Sequence, residues 1–193
     1  MDTDTMEMEA EADVVEYKGF TIKIWPELYP ENPRTFTDHL GIFNMYHRRY
    51  EFGDKKKFED HEEFARYVMG SREVACYYPV YAYDHGGIVL SVSNEHYPFN
   101  DQWDAGLLGY IYTTRERIRD TYCVSRATKK RVERARKELK AEIDTMNDYL
   151  AGRVYMYSTE DKDGISCDTC AGFYGEEGKK YALEEAKSLI DVY

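Results

Sequence analysis

The sequence predicts an α+β fold in which a mainly antiparallel sheet packs against one long amphipathic helix and several shorter ones. Three observations lead there. Tyrosine and β-branched runs flank the Gly-rich turn Asp84-His85-Gly86-Gly87, a hairpin pattern. Val132, Ala135, Leu139, Ile143, Met146 and Leu150 recur three or four residues apart, which lays one apolar stripe along a helix over 128–150. A second strand, turn and strand pattern over 154–158, 160–164 and 165–173 precedes a terminal helix over 180–189.

The elements follow in order. Residues 1–16 carry Asp2, Asp4, Glu7, Glu9, Glu11, Asp13 and Glu16 with no lysine or arginine, which reads as an acidic tail. Residues 17–193 read as one domain, a length that a single core can serve. Phe20, Ile22 and Ile24 alternate with Thr21, Lys23 and Trp25, a half-buried strand. Pro26, Pro30 and Pro33 end regular structure. Over 36–50, Leu40, Phe43, Tyr46 and Tyr50 fall at helical spacing, with Gly41 weakening the helix. Residues 59–69 read as a helix capped by Asp60. Residues 72–78 lead into hairpin arms at 80–83 and 88–92. A polar loop holding Pro98 follows, and 107–112 restores an extended apolar run, so three adjacent antiparallel strands are expected. Thr113 and Thr114 can cap a short helical connector over 115–122. Gly152 ends the long helix.

The 193 residues are 42% hydrophobic and include 19 tyrosines, so a folded core with half-buried aromatic surfaces is expected. The formal charge of -11 sets up a field that repels nucleic acid unless a local basic face overrides it. It argues against direct nucleic-acid binding and favours a basic protein partner, including one with a nucleic-acid-binding surface. Arg126, Lys129, Lys130, Arg131, Arg134, Arg136, Lys137 and Lys140 make the first half of the long helix basic. They read as a solvent face that balances an acidic protein, while the apolar stripe serves sheet packing or a homo-oligomer. The N-terminal residues lack a signal-peptide pattern, and no apolar run approaches the ~20 residues a bilayer helix needs. A cytoplasmic protein without a membrane partner is expected. Cys76, Cys123, Cys167 and Cys170 are too few and too unevenly spaced for a disulfide scaffold, and Cys76 reads as a small buried hydrophobe.

Chemistry-bearing side chains are densest between 79 and 113. Asp84 and His85 stand at the hairpin turn; Glu95, His96, Asp101, Trp103 and Asp104 follow in the return loop. Two readings use them. In the first, Tyr97, Phe99, Asp101, Trp103, Asp104, Tyr110 and Tyr112 form an acidic, tyrosine-rich binding surface whose aromatics supply contact area and whose acids meet basic groups. In the second, a metal-dependent hydrolase or nuclease uses His47 or His85 as general base, oriented by Asp84, Asp104 or Glu95. Upstream, Asp38, His47, Arg48 and Arg49 read as a structural ion-pair cluster.

Cys167-Asp168-Thr169-Cys170 has the spacing of a zinc or redox pair. A structural zinc needs four ligands, and no second close pair completes the set. An oxygen-rich Mg or Mn site through Asp84, Asp101 and Asp104 is the other metal reading. No cofactor is expected. Phosphate-binding loops, nucleophile elbows, HExxH and dinucleotide fingerprints are absent from the sequence, so binding without catalysis is the leading expectation.

Several motifs recur in order along 29–175: Pro30-Glu31-Asn32-Pro33-Arg34, His47-Arg48-Arg49-Tyr50-Glu51-Phe52-Gly53-Asp54, Pro79 to Ile88, Trp103-Asp104-Ala105-Gly106, Gly109-Tyr110-Ile111-Tyr112 and Gly172-Phe173-Tyr174-Gly175. Together they resemble a family of small acidic proteins from phages, plasmids and other mobile elements, a family with no established activity. Its central motif often reads Trp-Asp-Ser-Gly; Ala105 replaces the serine here, which argues against a nucleophile at 105. The resemblance implies a protein that binds host defence or replication machinery, or a non-catalytic virion or plasmid-maintenance component.

Overall fold

The computed structural model describes residues 12–36, 38–47, 49–54, 58–93, 97–100 and 103–192. In chain order the elements are β1 (Asp13–Tyr17), β2 (Phe20–Pro26), a 3-10 turn (Pro33–Thr35), β3 (Ile42–Met45), α1 (His61–Gly70), β4 (Val74–Asp84), β5 (Ile88–Val92), β6 (Ala105–Thr114), α2 (Arg115–Thr121), α3 (Lys129–Leu150), β7 (Val154–Glu160), β8 (Ser166–Tyr174) and α4 (Gly175–Ile190). The fold is α+β, with two antiparallel four-stranded sheets, ordered β1-β2-β7-β8 and β3-β6-β4-β5. It divides into two compact units: the described residues of Met1–Glu31 with Asp148–Tyr193, and those of Asn32–Asn147. Among the described residues no helix is long and apolar enough to cross a membrane.

In the first unit the alternation of β2 places Ile22 and Ile24 inward, where they join Tyr157, Phe173 and the small side chains Ala182 and Ala186 of α4 in one core. Residues 13–16, expected as the end of an acidic tail, instead form most of β1. Val15 lies opposite Ile22, and Val15 and Tyr17 pack on that core, so apolar contact outweighs the local acidity. Lys18 and Gly19 make the connection with φ of 51° and 83°, as a tight hairpin turn requires. Helix α4 begins five residues before the expected start at 180. Glycine is a poor helix former, yet Gly178 is needed: a Cβ there would stand 2.8 Å from the Phe173 carbonyl carbon.

In the second unit the central sheet is covered on both faces. Helix α3 buries Ala135, Leu139, Ile143 and Met146, the stripe read from the sequence. Leu139 and Ile111 of β6 meet at Gly41, whose added Cβ would lie 2.7 and 2.8 Å from their methyl carbons. On the other face Phe64 of α1 stacks on Tyr110 at 4.2 Å and meets Tyr112 edge-on at 5.3 Å. Asp60 caps α1 by accepting from the Glu63 amide at 2.8 Å, and Thr114 caps α2 through the Arg117 amide at 3.1 Å.

The helical stripe expected over 36–50 does not form. Ile42–Met45 is a strand paired with β6, and a buried arginine organises its approach. The Arg34 side chain is 3% exposed. Its Nε and one Nη donate to both oxygens of Asp54 at 2.8 and 2.6 Å, the other Nη donates to Glu142 of α3 at 2.7 Å, and the Gly41 carbonyl takes a fourth bond at 2.9 Å. Glu142 in turn accepts from the Leu40 and Gly41 amides, and Asp54 from the Phe43 amide. Burial pulls the guanidinium toward losing its proton; the two carboxylates outweigh that and raise its pKa.

Strand β5 is a sheet edge, and such edges invite pairing with another chain. The Asn147 side chain covers it: Oδ1 accepts from the Leu90 amide at 2.7 Å and Nδ2 donates to the Leu90 carbonyl at 2.9 Å. Asn147→Leu is expected to cost about 2 kcal/mol for the two lost bonds and to increase self-association, read by urea denaturation and light scattering.

The charge is divided unequally. Among the described residues the first unit carries 14 acidic and 7 basic side chains, and the second 16 acidic and 15 basic. The excess of acid therefore belongs to the first unit, not to the stretch between 79 and 113.

Candidate functional site

The β4–β5 hairpin and the start of β6 form the richest cluster of side chains among the described residues. Strand β6 returns beside β4, not β5, with Tyr83 opposite Ala105 and Ala82 opposite Gly106. The Asp84 amide donates to the Asp104 carbonyl at 2.8 Å, which holds the hairpin end against the Trp103-Asp104 segment. An open cavity of about 290 Å³ lies there, lined by His47, Arg49, Ala82, Asp84 and the run Trp103 to Leu108. A Cβ added at Gly106 would meet nothing within 4 Å.

Each acid in the cluster is held by a base. Arg49 donates to Asp84 at 2.8 Å, with the guanidinium side chain 70% exposed. His85 Nδ1 lies 2.9 Å from Asp104 Oδ2; because a carboxylate only accepts, Nδ1 carries the proton. Exposed pairs of this kind are worth about 0–1 kcal/mol. The His47 ring stacks on Tyr50 at 4.8 Å, and its Nδ1 accepts from the Arg49 amide at 3.2 Å.

Beside the acids runs an aromatic row. Tyr81 meets Tyr97 edge-on at 5.2 Å, and Tyr83 stacks with Phe99 at 5.7 Å and with His85 at 5.9 Å. Trp103 is 95% exposed and Tyr97 40%. Tyr81 and Tyr83 were absent from the sequence-based site; their spacing of two on a strand was the signal that puts them on one face.

The structure brings together His47, Asp84, His85, Trp103 and Asp104, with Tyr97 and Phe99 adjoining. Asp101, Glu95 and Arg48 lie outside the described residues. Tyr110 and Tyr112 need correction as surface residues. Tyr112 is fully buried, burial pushes its hydroxyl up to about 12, and Tyr110 lies under Phe64. The residues expected as one ion-pair cluster are not assembled: Arg49 reaches Asp84, His47 stacks on Tyr50, and Asp38 is exposed. The buried ionic cluster of this unit is Arg34, Asp54 and Glu142.

Cys167 and Cys170 sit on β8, with Cys170 opposite Tyr157. Strand alternation turns residues three apart to opposite faces. Among the described residues no three His, Cys, Asp or Glu side chains are grouped to hold a metal ion. The four cysteines are free thiols. Burial pushes the Cys76 thiol up to about 11. Native alkylation is expected to label the exposed Cys123 and Cys167 and to spare Cys76, whose thiolate is about 10²-fold scarcer than that of an ordinary thiol at the same pH; peptide mapping before and after unfolding reads this.

No protein-family model matches the chain, and no curated protein or solved structure matches it significantly.

Proposed function

We propose that this chain is a non-enzymatic binding protein that docks a protein partner at the hairpin end of the second unit. The observation that carries the reading is Trp103, 95% exposed, in a cavity it shares with two carboxylates that pair with exposed bases. Interfaces draw their affinity from aromatic anchors and their orientation from charge. A partner's arginine or lysine can displace Arg49 from Asp84, or His85 from Asp104, at little cost, because exposed pairs contribute about 0–1 kcal/mol. The mobile-element resemblance extends the proposal: the partner belongs to host defence or nucleic-acid machinery, and binding modulates or antagonises it in the cytoplasm.

The test is quantitative affinity capture from host cells with wild type, Trp103→Ala and Asp84→Asn/Asp104→Asn. One dominant protein should be enriched by wild type and lost from both variants. Identical captured sets from all three would refute the proposal.

One observation favours a second reading. The His85–Asp104 contact has the geometry of an imidazole oriented by a carboxylate, the arrangement of a general base. Asp104 lines the cavity, where no serine, threonine or cysteine stands among the described residues; a base held by that carboxylate would act on water. A hydrolase or nuclease activity abolished by His85→Ala would establish this reading; equal activity in the variant would remove it.

A further inference from the structure

The hairpin end leaves unused the most basic surface of the second unit. Between residues 115 and 140, eleven lysines and arginines stand against four acids. The buried stripe of α3 fixes how the helix faces. At 100° per residue, Lys130, Arg134 and Lys137 fall on the side opposite Ala135, Leu139 and Met146, with Lys129 at their flank. All four cations are exposed. Lys130, Arg134 and Lys137 line one shallow depression together with Arg131 and Glu133.

The arginine in this group is braced. Its Nε donates to Glu138 at 2.8 Å, and its guanidinium lies 4.6 Å from the Tyr122 ring centroid. The Tyr122 hydroxyl donates to the same Glu138 at 2.8 Å. Lys129, Lys130 and Lys137 form no ion pair among the described residues, so their charge is available to a ligand.

We propose that this face of α3 binds the phosphate backbone of nucleic acid without sequence preference. The cations from 130 to 137 span roughly 10 Å of helix axis at about 1.5 Å per residue, a length over which one DNA strand presents about three phosphates. Every exposed residue of α3 from 129 to 140 is charged. A protein partner would need an aromatic or apolar anchor, and no exposed residue of α3 from 129 to 140 supplies one; a phosphate backbone needs only cations. Among its described residues the second unit carries 16 acids and 15 bases, so this basic face is not set in an acidic unit. The face adds a second binding function, independent of the hairpin end.

The test is fluorescence anisotropy of a labelled mixed-sequence duplex of about 20 base pairs against the full chain, at salt from about 50 to 200 mM. With about three phosphates contacted, log K should fall against log salt with a slope of about -2.7, a loss of roughly 40-fold across that range. Lys130→Gln/Lys137→Gln should lower the slope by about 2 and weaken binding by about 10²-fold at the low-salt end. Glutamine has nearly the helix propensity of lysine, so melting should be unchanged. Trp103→Ala should bind the duplex as wild type does. The assignment is overturned by absence of duplex binding at 50 mM salt, or by an unchanged affinity and slope in the lysine variant. It is also overturned if sedimentation without nucleic acid shows that these lysines instead hold two copies of the chain together.

Discussion

Arg34→Ala should destabilise the second unit by about 3 kcal/mol, the largest effect we expect from one side chain. Removing one partner of a buried ion pair strands the other, at a typical cost of about 3–5 kcal/mol. Asp54 and Glu142 are 18% and 17% exposed and recover some hydration, which places the value at the lower end. The loss reaches beyond the pair. With the guanidinium gone, two carboxylates that also accept from the Leu40, Gly41 and Phe43 amides are left facing each other, so the approach of β3 to α3 is undermined. Hydrogen exchange at the Phe43 and Ile111 amides should quicken by roughly 10²-fold, the ratio that about 3 kcal/mol represents. Arg34→Lys keeps the charge but not the fork that grips Asp54, and should fall between wild type and alanine.

Gly109→Ala should cost about as much, by a different route. Gly109 pairs with Met45 in the β3–β6 ladder. A Cβ there would run into the Asn44 carbonyl oxygen and stand 2.7 Å from Met45 Cα. Those are backbone atoms, which cannot swing aside as a flexible side chain would. Overpacking in a tight site typically costs about 1–3 kcal/mol, and a backbone clash puts this one near the top of that range. Circular dichroism with urea should show the lowered midpoint. Loss of protection confined to Ile42–Met45 would show that β3 has detached.

Both effects explain why part of the fold was hidden in the sequence. Local patterns were enough for β2, the β4–β5 hairpin and the α3 stripe, where one element's own periodicity states which face is buried. The segment over 36–50 could not be read that way. Leu40, Phe43 and Tyr46 sit at helical spacing, yet Ile42–Met45 is a strand because β6 offers it a ladder and Asp54 takes the Phe43 amide. Gly41 and Gly109 are required by close approach of distant parts of the chain, a non-local cause. Arg34, Asp54 and Glu142 are separated by 20 and 108 positions, so no sequence window joins them. The division of charge was likewise invisible until the fold showed that residues 12–31 and 148–192 belong together.

At the site, the sequence named Asp84, His85, Trp103 and Asp104, because turn residues and a lone tryptophan stand out in a polar loop. It also named Tyr110 and Tyr112 for the surface. Strand alternation gives a tyrosine an inward or outward place but not the covering element, and here α1 covers that face. Asp84 finds its partner in Arg49, 35 residues away, which composition alone could not reveal.

The measurement that tests the proposed docking end most directly is photo-crosslinking in living cells, with p-benzoylphenylalanine placed at position 103. Tyr29, 76% exposed in the first unit, serves as the control position. One dominant crosslinked species is expected from position 103, absent from position 29, and lost when Asp84→Asn and Asp104→Asn are added. The same crosslinking pattern from both positions, or no product from position 103, would contradict the proposed docking.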